Sequence, residues 1–351
     1  MSHTPIPDEM RTAIRHENNF DLLRLVAALI IIVSHAYALQ VGYLAMPAFC
    51  PLVLVGYAAL AALFTVSGYL IPQSWCAQPD PVRFFWKRSL RVFPGLIAAV
   101  LFTLLVVGPI ATSLSPAEYL HALLSPGNLS EAPFFEDGSS LGLFTANPIT
   151  YVNASLWTIP VEFSMYVIVA VFGMAGLLRK KSVLFGLIAA NLLLWGIWYA
   201  DPSLSKIRFT LYFLIGAYLS LHHPNLRYDG GAVFLLLLAL VASAATPLFS
   251  FVALIAVPYA VLWFAHLPVP ALNAFGRHGD FSYGMYIYAY PIQQTIVLFL
   301  GTSLSLPVFA ALSIILTAPF AVCSWVFIER RALALKQVAL APVRLSRSVR
   351  E

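Results

Sequence analysis

The sequence predicts an all-α integral membrane protein of about ten transmembrane helices, and three observations carry that reading. Of the 351 residues, 60% are hydrophobic and only 10% charged, with a mean hydropathy of +0.84, far more apolar than a soluble domain of this size. The apolar residues fall in runs of about 20, the length that crosses a hydrocarbon core. Lys and Arg gather in alternate connections between those runs, as cytoplasmic loops do.

Taken in order, the runs place spans near 20–41, 50–72, 92–112, 156–178, 182–200, 205–221, 231–246, 248–266, 281–301 and 306–328. The sixth is short, and the boundary after the seventh rests on Thr246-Pro247. The connections 42–49 and 113–155 contain no Lys or Arg and are expected outside. Connections of the other parity hold Arg83, Lys87, Arg88 and Arg91, then Arg179, Lys180 and Lys181, then Arg227 and Arg277. Arg11 and Arg15 precede the first span, and Arg330, Arg331, Lys336, Arg344, Arg347 and Arg350 follow the last. Only Lys206 and Arg208 fall on the outer side, and Arg24 lies within a span. Both termini are therefore expected in the cytoplasm: a tail over 1–19, a membrane domain over 20–328 and a basic tail over 329–351.

The loop 113–155 is long, acidic (Glu118, Glu131, Glu136, Asp137) and rich in Pro, Gly and Ser, so it is expected to form an external lid or substrate platform. Ala36-Tyr37-Ala38 resembles a signal-peptide cleavage site. Cleavage there would discard Arg24 and His35, and the polar first 19 residues read as a cytoplasmic tail, so the first span is expected to stay.

Composition also excludes classes. The three cysteines, Cys50, Cys76 and Cys323, have neither metal-ligand spacing nor a bridge framework, and no metal is expected. The net charge of +5 is the ordinary excess of cytoplasmic loops, so nucleic acid is not expected as a partner. No G-x-S-x-G elbow, H-E-x-x-H metal site or phosphate loop is present.

The chemistry-bearing residues lie inside the spans. Arg24 and His35 are eleven residues apart on the first, which returns to within about 20° of one face and separates them by about 16 Å. Arg24 also reads as snorkelling to headgroups or pairing with Asp21, and His35 as a hydrogen-bonded core residue. Ionisable groups inside a bundle otherwise mark pathways and sites. Glu162 follows Pro160 near the outer end of the fourth span and is expected at the depth of His35. A carboxylate there would orient the ring and support the imidazolium, as general-base catalysis needs; a purely structural pair is the alternative. Ser67 and Gly68, in "FTVSGYLIPQ", are expected near the level of Arg24. If residues 83–93 are helical, Arg88 and Arg91 are neighbours on one face, suited to a phosphate.

Together these segments resemble the membrane-bound acyltransferase 3 family, which includes O-acetyltransferases of O-antigens, exopolysaccharides and nodulation factors. Asp21-x-x-Arg24 and the ten-residue gap to His35 are similar to its R-x10-H pattern, and Arg88-Ser-Leu-Arg91 to its R-x-x-R. "FTVSGYLI", "SLWTIPVEFSMY", "FSYGMYIYAYPIQQ" and Phe327-Ile328-Glu329-Arg330 follow in family order across nearly the whole chain. Two features depart from many members. Ala289 stands where a histidine often precedes the penultimate-span proline, and the hydrolase-like domain that some members append after the last span is not expected here.

The resemblance implies an acyl-coenzyme A donor, with acetyl-CoA favoured by analogy, entering from the cytoplasm of a bacterial inner membrane. The acceptor it implies is a cell-surface or lipid-linked glycan. Within that frame Arg88 and Arg91 hold coenzyme phosphates and Arg24, Ser67 and Gly68 guide the chain inward. His35, oriented by Glu162, takes a hydroxyl proton. Trp157, Tyr166, Gln293 and Gln294 are weaker candidates for the acceptor, Trp157 reading more readily as an interfacial belt residue. The competing class is a proton-coupled transporter or glycan exporter in which Arg24, His35 and Glu162 relay protons. A non-catalytic scaffold leaves the intramembrane ionisable residues unexplained.

Overall fold

The computed structural model describes residues 18–42, 47, 49–131, 139–197, 207–224, 226–273 and 275–337. The tails bearing Arg11, Arg15, Arg344, Arg347 and Arg350, and the loop residues Lys206, Glu136 and Asp137, lie outside the described residues.

Among the described residues the chain is helical, with a single isolated antiparallel bridge, Thr112 to Leu143. Helix α1, Phe20–Val41, runs without a breaker until Gly42, whose φ of +85° suits glycine. Helix α2, Pro51–Ala77, opens with proline at its first position. Helix α3, Pro81–Phe102, is capped by Asp80, which accepts from the Arg83 amide at 3.0 Å. It passes through a π-turn at Thr103–Val107 into Gly108–Ala111. The third span was expected from residue 92, but the basic segment 83–91 forms the first turns of the same helix. Asp80 and Pro81 start the helix eleven residues earlier than hydropathy alone indicates.

A short helix α4, Pro116–Leu123, carries a Ser115–Glu118 capping box. There follow α5 (Thr158–Met174), α6 (Lys181–Ile197), α7 (Ile207–His222), α8 (Gly230–Ser243), α9 (Leu248–Ala265), α10 (Ser282–Leu300) and α11 (Leu306–Ser324). Each expected span overlaps one of the ten longer helices. Helices α1, α2, the α3 continuum, α9 and the α11 continuum to Ala334 are long and apolar enough to cross a membrane, while α5 to α8 are shorter apolar helices.

Helix α1 packs against α2, α10 and α11, and α2 packs most extensively on α7. Glycines set that last approach. A Cβ on Gly68 would strike the Phe213 backbone carbonyl, and one on Gly216 the carbonyl of Thr65, so the two helices meet backbone to backbone. Outward faces of α6 and α8 expose Leu193, Ile197, Phe234, Leu235 and Val241, as lipid-facing helices do. Asn19 ties two helix ends together. Its side chain donates to the Phe264 and Leu267 carbonyls and its amide to Ala265, joining the start of α1 to the end of α9. The final turns of α11 return to that same end, called here the near end, through the Glu329–Arg91 contact.

The loop 113–155 is not a surface lid over its whole length. Its second half is an internal leg in which Leu141, Leu143, Phe144 and Val152 are fully buried. Asn147 donates to the Gln294 side chain and backbone carbonyls, both at 2.9 Å, and Asn153 to the Ile287 carbonyl at 2.9 Å. Seven residues of α10, about 10 Å, separate those anchors, so the leg descends along α10 before α5 begins.

Candidate active site

That descending leg moves the expected catalytic carboxylate. Thr158, the first residue of α5, meets the Tyr286 hydroxyl at 2.9 Å, only one turn into α10 from the near end. Glu162 is lower still. Its Oε1 accepts from Ser67 Oγ at 3.0 Å and from the Tyr166 hydroxyl at 2.5 Å.

The depth of Ser67 can be read along α2. Gly56 packs directly on Ser34, the neighbour of His35, and Ser67 lies eleven residues further along α2, about 16 Å. Glu162 therefore shares the level of Arg24, not that of His35. The expected Glu162–His35 pair is absent among the described ion pairs and hydrogen bonds. The sequence reading placed the helix start at the outer surface, whereas an irregular leg occupies the outer half of that crossing. The ring of His35 instead meets the edge of Tyr290, centroids 5.2 Å apart and 84° between planes.

At the near end, Arg24 donates to Asp21 at 3.0 Å, with its side chain 27% exposed. Arg91 is bound by a short contact to Asp280 and lies 3.9 Å from Glu329. Glu329 is nearly fully buried and accepts from Ser324 Oγ at 2.8 Å. Burial alone would raise the Asp280 carboxyl, but Arg91, then Arg24 and the Ser282 hydrogen bonds hold it below the ordinary aspartate value. Arg91 is thus occupied by protein carboxylates, which removes the expected Arg88–Arg91 phosphate pair.

Arg88 differs. Its Nε is buried without a hydrogen-bond partner, and its electrostatic neighbours are Tyr166, Glu162, Arg91 and Arg24. The near end is accordingly a mixed cluster in which three guanidinium groups, Arg24, Arg88 and Arg91, face four carboxyl groups, Asp21, Glu162, Asp280 and Glu329. Among its guanidinium groups Arg88 has the most unused donor capacity.

The remaining candidates are also relocated. Gly68 is a close-approach position against α7 rather than a ligand contact. Tyr166 is 3% exposed and bound to Glu162 in the near-end cluster, away from any far-end acceptor. Gln294 is fully buried and donates to the Ile149 and Tyr151 carbonyls, at 2.8 and 2.5 Å, so it holds the internal leg. Gln293 donates to the Ile32 carbonyl at 2.8 Å and keeps an unpartnered, buried Oε1 one turn from the His35–Tyr290 contact. Trp157 lies at the head of α5 against Phe209, centroids 5.6 Å apart, inside the bundle and not in a surface belt.

Sequence reasoning missed Asp280, Ser324 and the Asn147 and Asn153 anchors. Polar residues beside apolar helix ends are common, and only folding shows which of them are buried. Among the described residues no group of three or more His, Cys, Asp or Glu side chains is placed to hold a metal ion.

A bundle of apolar helices, five of them long enough to cross a membrane, with an ion cluster at one end defines the class as a helical membrane protein. The chain belongs to the acyltransferase 3 family: the family model described as an acyltransferase domain matches residues 17–326. It is therefore an acyltransferase. It is 30% identical over 299 residues to an O-acetyl transferase of Shigella phage Sf6, covering 80% of this chain and 86% of that protein. It is also 33% identical over 160 residues to nodulation protein 10 of Rhizobium leguminosarum bv. viciae, covering 43% of this chain and 42% of that one. No solved structure matches it.

Proposed function

We propose that the protein is a multi-pass O-acyltransferase of a bacterial inner membrane, carrying an acetyl group from acetyl-CoA to a hydroxyl of a cell-surface or lipid-linked glycan. In this reading all ten long helices cross, both termini are cytoplasmic, residues 20–328 form the catalytic domain and the tails 1–19 and 329–351 flank it.

The observation that carries the reading is axial. One helix, α1, bears Arg24 beside the near-end cluster and His35 about 16 Å further along the same face, a separation that an extended pantetheine arm spans. The cytosolic thioester enters at the near end, where the unpartnered Arg88 donors and Arg24 hold phosphate or the pantetheine amides. Ser67, Glu162 and Tyr166 fix the wall that Arg88 lines, which makes Glu162 a positioning residue.

At the level of His35 the acceptor hydroxyl attacks the thioester carbonyl. The imidazole takes the hydroxyl proton as the oxygen–carbon bond forms, and the carbon–sulfur bond then breaks. The coenzyme thiolate leaves and is protonated by the imidazolium, which balances the reaction. Proton removal of this kind contributes typically 10²–10⁴-fold.

Purified protein given labelled acetyl-CoA and an oligosaccharide acceptor tests the reading. Acceptor-dependent release of coenzyme, lost in His35→Ala, supports it. Acceptor counterflow in vesicles without any acyl donor, together with no coenzyme release, overturns it in favour of transport.

A further inference from the structure

Among the described residues Arg208 is a cation with no carboxylate partner. It is the second residue of α7, and its guanidinium carbon lies 4.3 Å from the Tyr57 ring centroid and 5.3 Å from that of Phe209. Its Nε is buried with no hydrogen-bond partner, and none of the four ion pairs among the described residues includes it. The near-end guanidinium groups of Arg24 and Arg91 are both met by acids, so the contrast is internal to the molecule.

The surroundings of Arg208 are built rather than incidental. The Tyr57 and Tyr212 hydroxyls lie 3.3 Å apart, Tyr212 is fully buried, and Trp157 packs on Phe209. The depth is that of His35, because Gly56, next to Tyr57, packs on Ser34. A guanidinium stacked on aromatic rings keeps its N–H edge for a planar oxyanion, which it binds through paired hydrogen bonds. Arg208 is partly buried, and withdrawing its Nε from water without a partner is costly unless an anion meets the group.

We propose that Arg208, stacked on Tyr57 and Phe209, anchors an anion-binding subsite for the acyl acceptor, which is therefore an acidic saccharide. The oxyanion is either a phosphate that links the sugar to its lipid carrier or a carboxylate on the sugar itself. The proposal rests on the acyltransferase reading for the word acceptor, but the binding site stands on geometry alone.

The test is binding by purified full-length protein in detergent, followed by tryptophan fluorescence. The probes are a short-chain prenyl diphosphate disaccharide, a glucuronate-containing tetrasaccharide and a neutral tetrasaccharide. One charged probe is expected to bind at least tenfold more tightly than the neutral one, and which of the two does so identifies the source of the oxyanion. Arg208→Gln should lose that tenfold preference, while Arg208→Lys, which keeps the charge but not the fork, should retain part of it. Apparent KM for acetyl-CoA should stay within about twofold in both variants.

Equal binding of charged and neutral probes by the unaltered protein overturns the proposal. So does an unchanged charged-probe preference in Arg208→Gln with an unaltered melting temperature. If Arg208→Gln does not fold, Arg208→Lys with full preference and full affinity for both charged probes overturns the paired-donor geometry. Charge-dependent binding without any acyl transfer would sink the enzymatic reading and leave the subsite standing.

Discussion

Ser67 on α2 donates a hydrogen bond to Glu162 on α5 at 3.0 Å, and that contact ties the carboxylate to the level of Arg24, one long helical leg away from His35. The two residues resembling a catalytic pair in sequence therefore belong to opposite halves of the bundle, and their substitution should produce different kinetic defects.

Glu162→Gln and Ser67→Ala should raise the apparent KM for acyl-CoA by about tenfold, the effect of losing one hydrogen bond to a charged group, with a smaller change in kcat. His35→Ala should lower kcat by about 10²–10⁴-fold with little change in donor KM. Steady-state kinetics of the three variants decides this; a fall in kcat in Glu162→Gln matching that of His35→Ala would return the carboxylate to the reacting centre.

Arg91 and Asp280 should matter for stability before activity. Breaking a largely buried pair leaves a charge uncompensated and costs about 3–5 kcal/mol, so Asp280→Asn should lower the melting temperature in detergent clearly. The pH dependence has a definite sign. The folded carboxyl of Asp280 titrates below its ordinary value, so its stabilisation is fully present above about pH 4 and is lost as the pH falls through the lower folded value. Melting curves between pH 3 and 7 should show a steeper acid loss in the unaltered protein than in Asp280→Asn.

Gly68→Ala tests close packing of α2 on α7. The added methyl meets the backbone carbonyl of Phe213, which no rotamer change relieves, and overpacking of this kind costs about 1–3 kcal/mol. Gly196→Ala on α6, where no atom lies within 4 Å of the added carbon, is the matched control and should be neutral or slightly stabilising. Equal melting temperatures for the two variants would contradict the observed α2–α7 approach.

Gln294→Leu should release the internal leg. The substitution takes the Gln294 side-chain donor from the Ile149 and Tyr151 carbonyls and leaves the Asn147 amide only its bond to the backbone carbonyl of residue 294, at about 1–3 kcal/mol for each buried group left unsatisfied. Limited proteolysis should then cut between Asn147 and Asn153 faster than in the unaltered protein.

Hydrophobic runs of about 20 residues and the clustering of Lys and Arg made the helical segments legible, because lipid demands apolar side chains and self-satisfied backbone wherever a chain crosses. The Arg24–His35 stripe was legible too, since both residues ride one helix whose geometry is fixed by hydrogen bonding. Glu162 lies deeper than its position in the sequence suggests because hydropathy does not distinguish a helix from an irregular leg packed along a bundle, and residues 144–157 are such a leg, with Phe144 and Val152 buried and Thr150 and Tyr151 exposed. Arg91 looked like a ligand for phosphate because Asp280 and Glu329, nearly 200 and more than 200 residues away in sequence, are brought to it only by α10 and α11. Local hydrogen bonding and transfer to lipid are properties of short segments, so the sequence by itself determined the class, the helices and the polar stripe. Which charges neutralise one another, and which carboxylate reaches which depth, depends on contacts between distant segments; only the tertiary structure decided those.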